Sequence, residues 1–151
     1  MMNFKSVDEI LNYAIDKEED ARQFYLDIAA KMDRPYMKQV FEQFSKEEKG
    51  HKAKLQAVKE GKMMLKAEKK VMDLQIGDHL EDVDLDAKLD YQQALIVAMK
   101  AEKNSYRLYN DLANSTDDEN LSSMFLSLAQ EEAKHKLRFE IEYDEYVLRE
   151  N

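Results

Sequence analysis

Two short stretches decide how this chain is read. One is Leu128-Ala129-Gln130-Glu131-Glu132-Ala133-Lys134-His135-Lys136; the other is Glu47-Glu48-Lys49-Gly50-His51-Lys52. Each contains Glu-x-x-His, a spacing that puts the carboxylate and the imidazole on one side of a helix. The two copies stand 84 residues apart, and shifting the whole chain by that amount aligns its halves. Leu11 meets Leu95, Ala14 meets Ala98, Glu18 meets Glu102, Tyr25 meets Tyr109, Asp33 meets Asp117 and Phe41 meets Phe125. Shared helical composition accounts for matched Leu and Ala. It does not account for Glu, Tyr, Glu and His recurring in one register. The chain reads as two repeated units, and a site between them has near two-fold symmetry.

Four amphipathic segments surround these motifs. The first, about Ser6 to Ala30, carries the stripe Leu11, Ala14, Glu18, Ala21, Tyr25, Ile28, with Ser6 and Glu9 as a capping box. The second starts near Asp33-Arg34-Pro35, with Asp33 as the expected cap, and ends near Gly61. Its stripe is Met37, Phe41, Phe44, Glu48, His51, Leu55, Val58. The third starts at about Asp90, capped with Gln93, and carries Leu95, Ala98, Glu102, Ser105, Tyr109, Leu112. The fourth starts near Asp117 and carries Leu121, Phe125, Leu128, Glu132, His135, Phe139, with fraying expected from Leu148 to Asn151. Short links make the pairs one–two and three–four antiparallel hairpins. Residues 61–89 read as a long crossover with a short helix over Lys62 to Met72, long enough to make helices two and three parallel. The expectation is one all-α domain over residues 1–151.

Composition agrees. Three Gly and one Pro cannot punctuate a many-stranded fold. No cysteine means no disulfide, no zinc finger and no thiolate-held iron. With 23 Lys+Arg against 32 Asp+Glu, net charge −9, nucleic acid is not an expected partner. No apolar run suits a membrane span, and Met1-Met2-Asn3-Phe4-Lys5-Ser6-Val7-Asp8-Glu9 lacks the apolar core of a secretion signal. A cytoplasmic protein is expected.

Six residues interrupt the apolar stripes: Glu18, Glu48, His51, Glu102, Glu132 and His135. Buried carboxylates without partners cost several kcal/mol each, so four of them need cations or protons. Two metal ions answer this, each taking one His, one terminal carboxylate and a share of two bridging carboxylates. Mixed carboxylate and imidazole donors suit iron or manganese better than calcium or structural zinc. A metal-free lattice of buried ion pairs stays open as the alternative. Tyr25 and Tyr109 follow Glu18 and Glu102 by two turns on the same face, placing them to hydrogen-bond a ligand carboxylate or relay electrons, with plain core packing of a large aromatic as the alternative. Glu47 and Glu131 are read as solvated, Tyr106 as packing, His79 as a surface residue and the nine Met as core filler. Gly50 is read as permitting either a close approach or a helix bulge.

With these residues the chain resembles the ferritin-like superfamily, and within it the rubrerythrin family. Ala14-x3-Glu18-x6-Tyr25, Glu48-x2-His51, Ala98-x3-Glu102-x6-Tyr109 and Glu132-x2-His135 carry the resemblance. It implies a left-handed four-helix bundle with a non-heme di-iron centre, in which Glu48 and Glu132 bridge and Glu18 and Glu102 are terminal. It further implies an oxidoreductase that reduces hydrogen peroxide or O2, with Mn or Zn as possible substitutes for the two Fe ions. Two departures stand out. The chain lacks the four-cysteine iron site of full-length rubrerythrins, so an external donor such as rubredoxin is expected. Ser105 stands where rubrerythrins proper tend to carry an extra carboxylate, which puts their ligand switch and efficient peroxide reduction in doubt. An iron-binding or ferroxidase role without sustained turnover is the alternative. Related bundles dimerise, so a homodimer is expected.

Overall fold

The computed structural model describes residues 4–61 and 89–150. Within them the amphipathic segments form four helices. Ser6 accepts a hydrogen bond from the Glu9 backbone N–H at 3.2 Å and starts α1, Val7–Lys31. The expected capping box is only half made: the Glu9 carboxylate accepts from the backbone N–H of Lys5, not of Ser6. Helix α2 is Pro35–Lys59, and its cap is Arg34 rather than Asp33. Pro35 occupies the first turn, where its missing N–H costs nothing, so the half-helical position falls on its immediate neighbour. Gly61, at φ +77°, follows the end of α2 in the left-handed region that favours glycine.

Asp90 makes both bonds of a capping box with Gln93 and opens α3, Tyr91–Asn114. Helix α4, Glu119–Glu150, begins two residues after the expected Asp117. Asp118 rather than Asp117 takes the first amides: its Oδ1 accepts from Asn120 N–H at 2.9 Å and Leu121 N–H at 3.1 Å. The turn from Leu148, expected to fray, stays helical through Glu150. The crossover expected over 61–89, with its short helix and His79, lies outside the described residues apart from its two ends.

Side-chain pairs fix how the hairpins meet. Tyr25 bonds Glu102 and Tyr109 bonds Glu18, so α1 and α3 run antiparallel. The Phe44 and Phe139 rings stack at 4.0 Å and His51 lies beside Glu132, so α2 and α4 are antiparallel too. Helices α2 and α3 therefore run parallel, an arrangement that a crossover of that length allows. The core divides into two apolar clusters. One end holds Ile10, Leu11, Leu55, Leu112, Leu121 and Phe125. The other holds Tyr25, Ile28, Phe41, Phe44, Leu95 and Phe139. The polar interruptions of the four stripes form the layer between them. No helix among the described residues is long and apolar enough to cross a membrane.

Candidate metal centre

Each helix brings its interruption to the middle of the bundle. Glu18 comes from α1, Glu48 and His51 from α2, Glu102 from α3, and Glu132 and His135 from α4. Five of the six are buried and His51 is nearly so. They form two overlapping groups with donor atoms within 4.8 Å of one another: Glu18, Glu48, His51, Glu132, and Glu48, Glu102, Glu132, His135. Glu48 and Glu132 belong to both groups.

The distances repeat across the pseudo-two-fold. His51 Nδ1 lies 3.0 Å from Glu132 Oε1, 3.5 Å from Glu18 Oε2 and 3.8 Å from Glu48 Oε2. His135 Nδ1 lies 3.0 Å from Glu48 Oε1, 3.4 Å from Glu102 Oε1 and 3.8 Å from Glu132 Oε1. Each histidine thus leans on the glutamate of the other Glu-x-x-His motif. These atoms are close but do not pair. Among the described residues, nine buried side-chain polar atoms lack a hydrogen-bond partner, and all but Tyr13 Oη belong to these six residues. Seven of these eight converge on the layer, the eighth being His135 Nε2, which faces Glu47 instead. Buried polar groups are almost always satisfied, so the converging orphans are what a metal's donor set looks like. Hard carboxylate oxygens with two imidazoles fit iron or manganese.

Protons take the place of cations where no metal is bound. Burial, followed by the nearby Glu48 carboxylate, pushes Glu18 and Glu102 up from the ordinary carboxyl range. Burial and then the Glu102 and Glu48 charges push Glu132 up. Glu48 moves the other way: burial opposes it, but His135 and His51 hold its carboxyl low. Burial lowers both histidines, yet the carboxylates beside them outweigh it. Glu18 and Glu48 raise His51, and Glu102 and Glu48 raise His135, each to about 10.

The two tyrosines do meet carboxylates of the cluster, with the partners crossed. Tyr25 donates to Glu102 Oε1 and Tyr109 donates to Glu18 Oε1. Burial and then those same carboxylates push both phenols well above their ordinary value, so they stay protonated donors. Tyr106 is half-buried beside the α3–α4 groove, and Ser105 half-buried one turn after Glu102. Gly50 serves neither role expected of it. The helix is regular there, and an added Cβ meets nothing within 4 Å.

Glu47 is the residue the sequence reading missed. It is not simply solvated: its Oε1 stands 3.6 Å from His135 Nε2, and both its oxygens meet Arg138 Nη1, at 3.0 and 2.9 Å. The available signal was Arg138, one turn after His135, where the first half has Lys54.

A family model described as rubrerythrin matches residues 9–143. This chain belongs to the rubrerythrin family. Membership of the rubrerythrin family implies binding of two irons, and the layer of four carboxylates and two imidazoles is the corresponding cluster in this chain. Among solved structures, a hypothetical protein from Pyrococcus furiosus is similar at 23% identity and a TM-score of 0.63, over 91% of this chain and 87% of that one. At that identity the likeness speaks for the fold. No curated protein is significantly similar in sequence.

Proposed function

We propose that this rubrerythrin-family protein is a non-heme di-iron oxidoreductase that reduces hydrogen peroxide, or O2, with electrons from an external donor protein such as rubredoxin. The observation that carries the reading is the sharing of Glu48 and Glu132 between the two donor groups. Glu48 and Glu132 would be held in common by two ions, which would then act together on one small oxidant. Glu18 with His51 and Glu102 with His135 would complete the two positions, and manganese or zinc would fit the same donors.

When bound, a pair of ferrous ions supplies two electrons to an O–O bond and stabilises the negative charge that develops on oxygen. The chain's own part is to hold and to exclude. Tyr25 and Tyr109 fix the terminal carboxylates by donating to them, which sets ligand orientation. The two apolar clusters keep bulk water from the layer. Both tyrosines keep their protons at neutral pH, so they act as fixed donors.

The test is peroxide-dependent oxidation of the reduced, iron-loaded protein in a stopped flow, against Glu48→Ala. Oxidation much faster in the unmodified protein supports the proposal. Equal rates refute it. Iron content separates the ferroxidase alternative: a fixed two per chain fits the redox site, whereas continued uptake under air fits iron handling.

A further inference from the structure

The pseudo-two-fold fails at one place that matters to the metal positions. Around His135, Glu47 stands 3.6 Å from Nε2, facing that nitrogen just beyond hydrogen-bond reach, and its carboxylate is gripped by Arg138. Arg138 lies over the Phe44 ring at 4.3 Å, and that ring meets the His135 imidazole edge-on at 4.9 Å. Around His51 the repeat puts Glu131, Leu128 and Lys54 in the places of Glu47, Phe44 and Arg138. Only the glutamate recurs, and it turns away: Glu131 pairs with Lys134 at 3.5 Å and its side chain is 44% exposed, against 31% for Glu47. The histidines follow suit, with the His135 side chain 2% exposed and that of His51 13%.

A histidine that binds a metal through one nitrogen is held in place when its other N–H is accepted by a carboxylate, and losing that partner typically weakens the metal 10–100-fold. We propose that Glu47, clamped by Arg138, is a positioning residue for His135, and that it makes the two metal positions unequal. The His135 position fills first, and the His51 position is the weaker, exchangeable one. This rests on the reading of the cluster as a two-metal site. It adds an order of filling that the two-fold motif pattern does not contain.

The test titrates the metal-free protein with Co2+, followed by the visible absorption of the bound ion and by calorimetry. Two steps are expected in the unmodified protein, the first about 10–100-fold tighter. Glu47→Gln should weaken the first step until the two merge, and Glu131→Gln should leave both in place. Arg138→Gln, at a side chain 48% exposed and therefore safe for folding, should weaken the first step in the same direction. A slowly exchanging imidazole N–H signal from His135 in the Zn2+-loaded protein should vanish in Glu47→Gln. Two equal ions in the unmodified protein, or equal effects of Glu47→Gln and Glu131→Gln, would overturn the inequality while leaving the two-metal reading intact. No Co2+ binding at all would overturn both.

Discussion

Loading the centre with metal must expel protons, and the structure sets how many. A histidine ligates as the neutral ring, and a carboxyl as the anion. In the metal-free molecule His51 and His135 are each held up to about 10 by the carboxylates around them. At pH 7 that is about three units, or about 4 kcal/mol per imidazole, that binding must supply to remove each proton. About two protons per pair of ions should therefore be released. Affinity at each position should rise about tenfold per pH unit between pH 7 and 10 from its imidazole proton alone. The assay is calorimetric titration of Co2+ at pH 6.5, 7.5 and 8.5, in buffers of different ionisation enthalpy, which counts the protons released. The same groups set the stability of the metal-free protein. Each histidine, raised from 6.5, contributes stability that is complete below pH 6.5 and lost as pH rises through about 10. Glu18, Glu102 and Glu132, raised from 4.5, act in the same sense from pH 4.5 upward. Glu48, lowered from 4.5, opposes them only on the acid side of that value. The metal-free Tm should thus fall between pH 6.5 and 9, with the loaded protein far flatter. Affinity constant from pH 6.5 to 8.5, with fewer than two protons released, would refute the reasoning.

Two further outcomes bear on the framework. Tyr25→Phe and Tyr109→Phe each strip the phenolic donor from a buried carboxylate, at Glu102 and Glu18 respectively. Each should cost about 1–3 kcal/mol in urea denaturation, and by similar amounts because the sites are pseudo-equivalent; losses below about 0.5 kcal/mol would mean the bonds are not holding the layer. Gly50→Ala should stabilise the protein by about 0.5–1 kcal/mol, because the position is exposed mid-helix with open space for a Cβ. A measured loss would show that the backbone needs glycine there.

Much of this was legible in single residues. The stripes through Leu11 and Ile28, Phe41 and Val58, Leu95 and Leu112, and Leu121 and Phe139 gave four helices, because burial on one face leaves a 3.6-residue period in the chain. Asp90 with Gln93 marked a helix start from chemistry wholly local to four residues. Asp33 misled, because Pro35 and not the better capping side chain decides where that helix begins. Glu47 misled for a different reason. Its position around the α2 axis looks solvated, and only Arg138, on a helix 91 residues away, draws it toward His135.

Four helices and the six polar residues that interrupt their apolar seams were readable from the chain alone, as was the internal repeat. These all follow from the phase of a side chain around its own helix axis. The tertiary structure decided what that phase cannot: which helix faces which. Antiparallel packing of α1 on α3 crosses Tyr25 to Glu102 and Tyr109 to Glu18. Antiparallel packing of α2 on α4 gives both donor groups a share of Glu48 and Glu132 and sets Glu47 behind one histidine only. A repeat in sequence makes two equivalent halves, and the contacts between them are where equivalence ends.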